Sequence, residues 1–380
     1  MSDADRLRLA RAEGVGPITY RRLLARFGSP AAALEALPGL ARAGGRAAPL
    51  AIPPAAAAER EIARTARLGA TLLFVNEPGY PPLLGLLEDA PPVIAVLGDP
   101  EALAAPAVAL VGSRNASANG RRFAEVLAQE LGGTGRVVVS GMARGIDAAA
   151  HAGALRGGRT IACVAGGLDV PYPPEHADLQ ARIAAHGAVI SEQPLGTSPQ
   201  ARHFPRRNRL IAGLALGVVV VEAAMRSGSL ITARLAQEYG REVFAVPGSP
   251  LDARCRGTND LIRQGAYLVE QASDVIDNLP DHPNREGLGR LPSFVRGAPP
   301  SGFGEAAPLW PEGSAPAEDT AAAHAQVLEL LGPAPSSVDD LARRCQLSAA
   351  TVMSALLDLE LAGRVEMLPG NQAALLGDAG

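Results

Sequence analysis

Between residues 70 and 278, short apolar runs rich in β-branched residues alternate with amphipathic segments, and this alternation constrains the fold more than any other feature. Several runs are apolar throughout, which is typical of strands that are covered on both faces. Strands that alternate with helices form mainly parallel, doubly wound sheets, so we predict a Rossmann-like α/β domain. The predicted strands are 71–75, 93–98, 107–111, 136–140, 160–165, 188–191, 218–223, 242–246 and 267–269, and the predicted helices include 118–131, 146–155, 176–186, 205–215 and 229–239.

The segments on either side of this pattern predict two smaller domains. Residues 1–68 are helical, and a helix, a "GVGP" turn and a second helix ending at Gly28 resemble a helix-hairpin-helix element. Such a turn can bind a phosphate through its amides, although a compact helical adaptor without a ligand fits the same pattern. Residues 280–320 are rich in Pro, Gly and Ser and predict a flexible linker, which leaves 69–279 as the central domain. Residues 321–380 predict three helices and a hairpin, the pattern of a winged helix.

The charge and the cysteine usage exclude several classes of protein. The formal net charge is -4, so the chain is not a basic nucleic-acid coat and any anion site must be local. Cys163, Cys255 and Cys345 lie far apart and lack metal-ligand spacing, which predicts a reducing cytoplasm without disulfides or zinc. The charged N-terminus lacks the apolar stretch of a signal peptide, and no long uninterrupted apolar run predicts a membrane span.

Polar, glycine-containing segments follow several predicted strands, which is where open α/β sheets bind ligands. The first, "GSRNAS" at 112–117, does not match G-x-G-x-x-G, and without lysine the chain has no Walker motif, so we predict no nucleotide cofactor. Gly112, Ser113 and Arg114 can instead hold a phosphate through an amide, a hydroxyl and a guanidinium. "RSGSLIT" at 226–232 is a second turn of this kind, although each turn alone also fits a tight strand-to-helix connection.

The segment "RHFPRRNRLIAG", residues 202–213, holds four arginines near a predicted helix start. Arginines there oppose the helix dipole by ~0.3–1 kcal/mol each, so they call for another role. Single-stranded nucleic acid requires cations and an aromatic surface for stacking, and Phe204 between Arg202 and Arg206 supplies both. Phe204 also fits a hydrophobic staple. We predict that Arg206 and Arg209 clamp a nucleic-acid backbone and that Arg207 reaches the crevice, with a buried, paired Arg207 as the alternative.

Candidate catalytic groups form no recognisable set. Asp147 and His151 are four residues apart on one predicted helix, a spacing that equally suits a hydrogen bond on a helix surface. Asp169 and Glu222 follow strands and can act as acid and base or satisfy buried amides. Because no triad, carboxylate pair or metal cluster stands out, we predict a binding protein and not an enzyme.

Six motifs occur in one order along the chain: "GSR", "SGMARGIDAAAH", "GGLD", "FPRRNRLIAGLA", "SGSLITA" with "VFAVPG", and "GTNDLIRQGA". In this order they resemble the DNA-processing protein A (DprA, also called Smf) family. The resemblance implies an extended Rossmann-like domain that binds single-stranded DNA, helps to load the RecA recombinase during natural transformation and commonly forms homodimers. Many members carry lysines near the DNA pocket, and since this chain has none, the resemblance implies that Arg202 or Arg206 takes their place. Together with the arguments above, the expected DNA-binding residues are Gly112, Ser113, Arg114, Asn115, Ser140, Gly141, Arg202, Phe204, Arg206, Arg207, Asn208, Arg209, Ser227, Gly228 and Ser229.

Two other functions remain open. One is a nucleotide hydrolase that resembles the lysine-decarboxylase-like phosphoribohydrolases, although their P-G-G-x-G-T-x-x-E motif is missing. The other is a duplex-binding regulator, which the C-terminal charge disfavours: residues 322–377 carry three arginines against six acids, and the third helix holds Asp358 and Glu360. Because phosphate neutralisation provides most duplex affinity, we predict a protein–protein or regulatory role for the winged helix.

Overall fold

The computed structural model describes residues 2–280 and 317–376, with the backbone alone for 317–321. The chain forms two units. One unit contains residues 2–60, Glu88–Pro92 and the described C-terminal residues, and the other contains Glu61–Leu87 and residues 93–280. None of the helices in these described ranges is both long and apolar enough to cross a membrane.

A sheet of nine strands organises the second unit, in the order β1-β2-β6-β5-β4-β3-β7-β8-β9. The seven strands from β6 to β9 in this order are parallel, whereas β1 and β2 join at the β6 edge through antiparallel pairing. All nine predicted strands are present, and the mainly parallel sheet is confirmed. The strands are β1 Ala70–Phe74, β2 Val93–Gly98, β3 Ala107–Val111, β4 Val137–Ser140, β5 Thr160–Cys163, β6 Ala188–Ser191, β7 Gly217–Val220, β8 Glu242–Ala245 and β9 Tyr267–Leu268.

The order of the strands reverses at β3, because β4, β5 and β6 follow on one side of it and β7, β8 and β9 on the other. Open α/β sheets bind ligands outside the carboxyl ends of the strands at such a reversal. The sheet is buried between helices, with strand residues such as Val108, Leu110 and Val138 fully covered. The helices of this region are α5 Pro82–Gly85, α6 Ala118–Gly133, α7 Ile146–Gly157, α8 Ala177–His186, α9 His203–Leu214, α10 Gly228–Glu238, α11 Arg256–Arg263 and α12 Ala272–Ile276.

Helix α9 begins at His203, two residues before the predicted start at 205. Proline is accepted in the first turn of a helix because the amides there need no intrahelical acceptor, so Pro205 marks the first turn and not its first residue. As a result, Phe204 belongs to the helix, and Arg207 lies at its fifth residue and is buried.

The first unit combines the N-terminal helices with a winged helix. Its C-terminal part contains three helices and a three-stranded sheet in the order β10-β12-β11, which confirms the predicted winged helix. Helix α13 begins at Ala317, inside the predicted linker 280–320, and residues 281–316 of that linker lie outside the described residues. The elements are α1 Asp3–Arg11, α2 Pro17–Phe27, α3 Pro30–Ala43, α4 Ala55–Arg67, which extends into the second unit, α13 Ala317–Leu330, β10 Ser336–Ser337, α14 Val338–Cys345, α15 Ala349–Leu361, β11 Val365–Leu368 and β12 Gln372–Leu375.

Candidate nucleic-acid interface

A crevice of about 580 Å³ opens outside the carboxyl ends of β3 and β7, at the reversal of strand order. The turn after β3, the turn after β7 and the start of α9 form its walls. This size suits a nucleotide-sized ligand. Ten of the fifteen predicted site residues line it: Gly112, Ser113, Arg114, Asn115, Phe204, Arg207, Asn208, Ser227, Gly228 and Ser229.

Buried hydrogen bonds fix both turns. Ser117 caps α6 by accepting a hydrogen bond from the Gly120 amide at 2.8 Å, and its hydroxyl donates to Glu222 Oε1 at 2.6 Å. The Ser117 amide donates to the other oxygen of Glu222 at 2.9 Å. Across the crevice, Asn208 Nδ2 donates to the Gly228 carbonyl at 3.3 Å and ties α9 to the start of α10. The two glycine- and serine-rich turns are therefore positioned before any ligand binds.

Arg207 is a buried cation in the crevice wall, only 6% exposed. Its Nη1 donates to the Cys163 carbonyl at 3.3 Å, and the Asp147 carboxylate provides the nearby negative charge. Burial raises the pKa of Asp147, whereas Arg207 and the amides of Ala143 and Gly141 lower it. A side chain at Gly141 would overlap the Arg207 guanidinium, so the glycine makes room for the arginine. Arg207 is therefore buried, as the alternative of a buried, paired arginine predicted, with Asp147 as a nearby opposite charge, and the same residue also lines the crevice.

Phe204 carries the aromatic surface of the crevice. The Arg114 guanidinium lies 4.9 Å from the ring centroid and that of Arg207 lies 6.0 Å from it. Tyr172 meets the ring edge-on, with the two centroids 5.8 Å apart. Phe204 and Arg114 also border a second recess of about 140 Å³, which Gly141 lines as well. The ring contacts charged and aromatic groups from within the first turn of α9, so the hydrophobic-staple interpretation is wrong.

Exposed guanidinium groups give the interface its charge. Arg114 and Arg226 line the crevice, and Arg202 and Arg206 lie at the start of α9 outside both recesses. None of these four exposed side chains forms a salt bridge within residues 2–280 and 317–376. The crevice thus presents positive charge that no acid of the described chain neutralises by direct pairing.

Four predicted site residues lie away from both recesses: Ser140, Arg202, Arg206 and Arg209. Ser140 is fully buried, and its hydroxyl donates to the Leu110 carbonyl at 2.6 Å, so it joins β4 to β3. Arg209 forms an ion pair with Glu192, and both side chains are largely covered. This ion pair was not predicted from sequence, because Glu192 and Arg209 are distant in sequence and meet only where the loop after β6 folds back onto α9.

The candidate catalytic groups are engaged in structural contacts. Glu222 bonds Ser117, and Asp169 accepts the Gly196 amide at 2.6 Å. His151 does not bond Asp147 on a helix surface: the ring is buried, and its Nδ1 lies 2.8 Å from the Thr160 hydroxyl. Burial and the nearby cations lower the pKa of His151 to about 3.

Several residues of the interface escaped prediction from sequence as DNA contacts, among them Arg226, Asp147, Tyr172 and Ala143. Arg226 lies within the quoted "RSGSLIT" turn, and its charge beside the predicted serines was a usable signal. Asp147 was considered only as a catalytic group. Ala143 lies within the quoted motif "SGMARGIDAAAH", whereas Tyr172 carried no signal, because only the folded chain brings it beside Phe204.

Comparison with known proteins gives consistent matches along the chain. Residues 71–280 match the family described as DNA recombination-mediator protein A, residues 2–63 match the DprA-like N-terminal HHH domain, and residues 311–371 match the DprA winged helix domain. Protein Smf of Escherichia coli (strain K12) is 40% identical over 298 residues, which cover 78% of this chain and 75% of that protein.

Two solved structures are also similar. DNA processing protein A from Streptococcus pneumoniae matches at 35% identity with a TM-score of 0.63, over 74% of this chain and 99% of that chain. DNA processing protein A from Helicobacter pylori, whose structure is described as giving insights into a single-stranded DNA binding mode, matches at 32% identity with a TM-score of 0.50. That match covers 55% of this chain and 94% of the other chain.

Proposed function

The chain belongs to the DNA recombination-mediator protein A (DprA/Smf) family, and from this premise we propose that it binds single-stranded DNA in the crevice between β3, β7 and α9. The observation that carries the proposal is the half-buried Phe204 ring with the Arg114 guanidinium 4.9 Å from its centroid. Exposed bases of a single strand can stack on such a ring, whereas the bases of an intact duplex are already stacked on each other.

Each part of the crevice has a separate role in this proposal. Phe204 stacks a base, and the amides and hydroxyls of the two turns bind phosphate oxygens. Arg114 and Arg226 neutralise phosphates inside the crevice, and Arg202 and Arg206 contact the strand as it leaves along the start of α9. Arg207 positions the wall, because it is buried and bonded to the Cys163 carbonyl. Contacts to backbone and to base faces predict binding that tolerates many sequences.

We also propose that the protein protects incoming DNA and helps to load RecA during natural transformation, that it acts as a homodimer, and that it works in the cytoplasm. Support for these roles comes from family membership, which includes a match described as a recombination mediator. We place binding above nucleotide hydrolysis because Glu222 and Asp169, the strand-end carboxylates, already accept hydrogen bonds from the protein. A hydrolase would instead release free base from nucleoside monophosphates.

The test is fluorescence anisotropy with labelled oligo(dT) and a duplex of equal length, titrated with salt. Wild type should prefer the single strand. Phe204→Ala should weaken single-strand binding by ~1–3 kcal/mol per stacked base, or about 5- to 150-fold, while Phe204→Tyr should retain most of the affinity. Arg114→Ala should reduce the slope of log K against log salt by ~0.7, the contribution of one phosphate contact on a single strand.

Arg136→Ala is the matched control, since Arg136 is a half-buried arginine just before β4, at the opposite edge of the sheet from the crevice. It should leave both the affinity and the salt slope unchanged. Equal affinity for duplex and single strand, or no loss in either Phe204→Ala or Arg114→Ala, would reject the proposal.

A further inference from the structure

The third helix of the winged helix is covered on two sides. Val352, Leu356 and Leu359 of α15 pack into the core of the winged helix. Leu357, Asp358 and Leu361 are also buried, and α15 packs against α3 of the N-terminal helices. In DNA-binding helix-turn-helix folds the corresponding helix is exposed so that it can enter the major groove. Here that helix has a protein partner within its own chain.

The same contact covers the first turn of α2, where Ile18 and Thr19 are buried, and reaches the preceding turn, in which Gly14 stays exposed. A Cβ atom at Gly14, in this turn, would lie 3.7 Å from the carbonyl oxygens of Glu360 and Leu361. Thr19, the third residue of α2, donates a hydrogen bond from its hydroxyl to Glu360 Oε2 at 2.5 Å. The Met367 amide donates to the other carboxylate oxygen at 3.2 Å. The first turn of α2 is where a helix-hairpin-helix binds phosphate, and an acidic side chain of the winged helix already stands there.

The wing takes part as well. Arg22 Nη2 of α2 donates to Asn371 Oδ1, at the tip of the β11–β12 hairpin, at 3.2 Å. Two of the surfaces by which winged helices contact duplexes, the third helix and the wing, therefore touch the N-terminal helices. Close approach requires Gly44 after α3, because a side chain there would overlap the backbone carbonyl of Asp358.

The two partners are complementary in charge. Residues 2–60 carry nine arginines and five acids, whereas residues 322–376 carry three arginines and six acids. Two of these acids, Asp358 and Glu360, lie in the contact and are buried or nearly so. Burial raises the pKa of Glu360, and Thr19, Met367 and Arg22 oppose that rise by stabilising the carboxylate. The acidity that makes the winged helix a poor duplex binder suits it to the N-terminal helices.

We propose that the winged helix is an intramolecular lock: α15 and the wing dock on the N-terminal helices of the same chain and mask the first turn of α2, where Ile18 and Thr19 are buried, from nucleic-acid phosphates. Glu360 accepts the hydrogen bond from the Thr19 hydroxyl, so its negative charge opposes the approach of a phosphate to this turn. Undocking exposes the turn and the arginines of α2 as a second, duplex-tolerant contact. The lock is independent of the crevice and of any role proposed for it.

The first experiment tests the contact in the full chain. Arg22→Cys with Asn371→Cys, in a Cys345→Ser background, is treated with a short bismaleimide, since Cys163 and Cys255 are buried. The expected result is rapid crosslinking within one chain: the product keeps the mass of one chain plus one crosslinker, and its rate of formation does not depend on protein concentration. Crosslinking between two chains, or no reaction above that of the single-cysteine variants, would overturn the lock.

The second experiment tests masking with a labelled duplex. Gly44→Ala should raise duplex affinity by about fivefold or more, the lower end of coupling between linked sites. Its backbone, with φ -71° and ψ -1°, accepts alanine, so the clash with Asp358 is the defect. Gly39→Ala in α3 is the matched control, because its added methyl meets nothing within 4 Å, and it should bind as wild type.

Equal duplex affinity in Gly44→Ala and Gly39→Ala overturns the masking proposal. If Gly44→Ala fails to fold, as judged by circular dichroism, the double-cysteine protein provides the second arm. Crosslinking it should then reduce duplex binding relative to the same protein before reaction, and unchanged binding would contradict the lock.

Discussion

The crevice of the central sheet and the α15 face of the winged helix treat charge in opposite ways. At the crevice, Arg114 and Arg226 are exposed and make no salt bridge within the described parts of the chain. On α15, the carboxylate of Glu360 is covered and bonded to Thr19, and Asp358 lies 3.1 Å from His324 Nε2. The arginines of the crevice remain available to a ligand, whereas the acidic side chains of α15 bond to other groups of the protein.

This difference shows that the sign of a local charge does not by itself identify a nucleic-acid site. What matters is whether the chain already supplies the opposite charge at the same place. The crevice contains one instructive exception: Arg207, which is buried and compensated by Asp147 within the protein. Loss of this internal compensation should therefore have a larger effect than loss of an exposed charge.

The largest effect should follow from Asp147→Ala. The substitution leaves Arg207 buried without its countercharge and leaves the Ala143 amide, which donates to Asp147 Oδ2 at 3.3 Å, without an acceptor. Removal of one partner from a buried charged pair typically costs ~3–5 kcal/mol of folding free energy. Urea denaturation followed by circular dichroism measures this loss.

Glu175→Gln is the control for that measurement, since Glu175 pairs with Arg144 on the exposed surface of the same domain. Exposed pairs contribute little to stability, so the control should unfold as wild type does. A similar urea midpoint for Asp147→Ala and Glu175→Gln would mean that the interior tolerates Arg207 without Asp147, and the contrast drawn between compensated and exposed arginines would fail.

An intermediate effect should come from acid. The Thr160 hydroxyl donates to the Val138 carbonyl at 2.6 Å, so His151 Nδ1 must donate to Thr160 and a second proton must go to Nε2. Nε2 is buried and has no partner within the described residues. The folded pKa of His151, about 3, lies below the unfolded value of 6.5, so the unfolded chain gains the proton first.

Stability should therefore fall as the pH drops from about 6.5 towards 3, by up to ~1.4 kcal/mol per pH unit from this residue alone. His151→Gln keeps a donor for Thr160 and removes the titration. The free energy of unfolding, measured at pH values between 7 and 4, should depend less steeply on pH in this variant. Parallel curves for the two proteins would assign the acid sensitivity to other groups.

The fold was largely predictable because the sheet is buried on both faces and its strands are therefore continuous apolar runs. All nine strands were placed to within three residues, and the three C-terminal helices and the hairpin were also recognised. The order of the strands could not be predicted, because nothing in the apolar pattern of β7 shows that it pairs with β3 and not with β6. The packing of α3 on α15 could not be predicted either, because no local sequence pattern shows which segments more than 300 residues apart are in contact.

The site was predictable in part, because its turns directly follow strands that could be recognised from their apolar runs. The position of glycine- and serine-rich turns at the ends of strands can be predicted from sequence. In the structure the two turns meet at the crevice. The state of each arginine does not follow from sequence, because burial and partners are tertiary properties. Arg207 and Arg209 are two residues apart, yet one is compensated by Asp147 and the other is paired with Glu192.

The smallest effect should come from Arg209→Ala, and it decides whether the exposed charges alone serve the DNA. Arg209 is paired with Glu192, and their side chains are 13% and 12% exposed, so its charge is already used within the protein. The salt slope of oligo(dT) binding should then stay unchanged, whereas Arg226→Ala should reduce it by ~0.7, the loss of one phosphate contact. Equal reductions in the two variants would show that the Glu192 pair opens on binding, and that compensation within the free protein does not predict which arginines the strand can recruit.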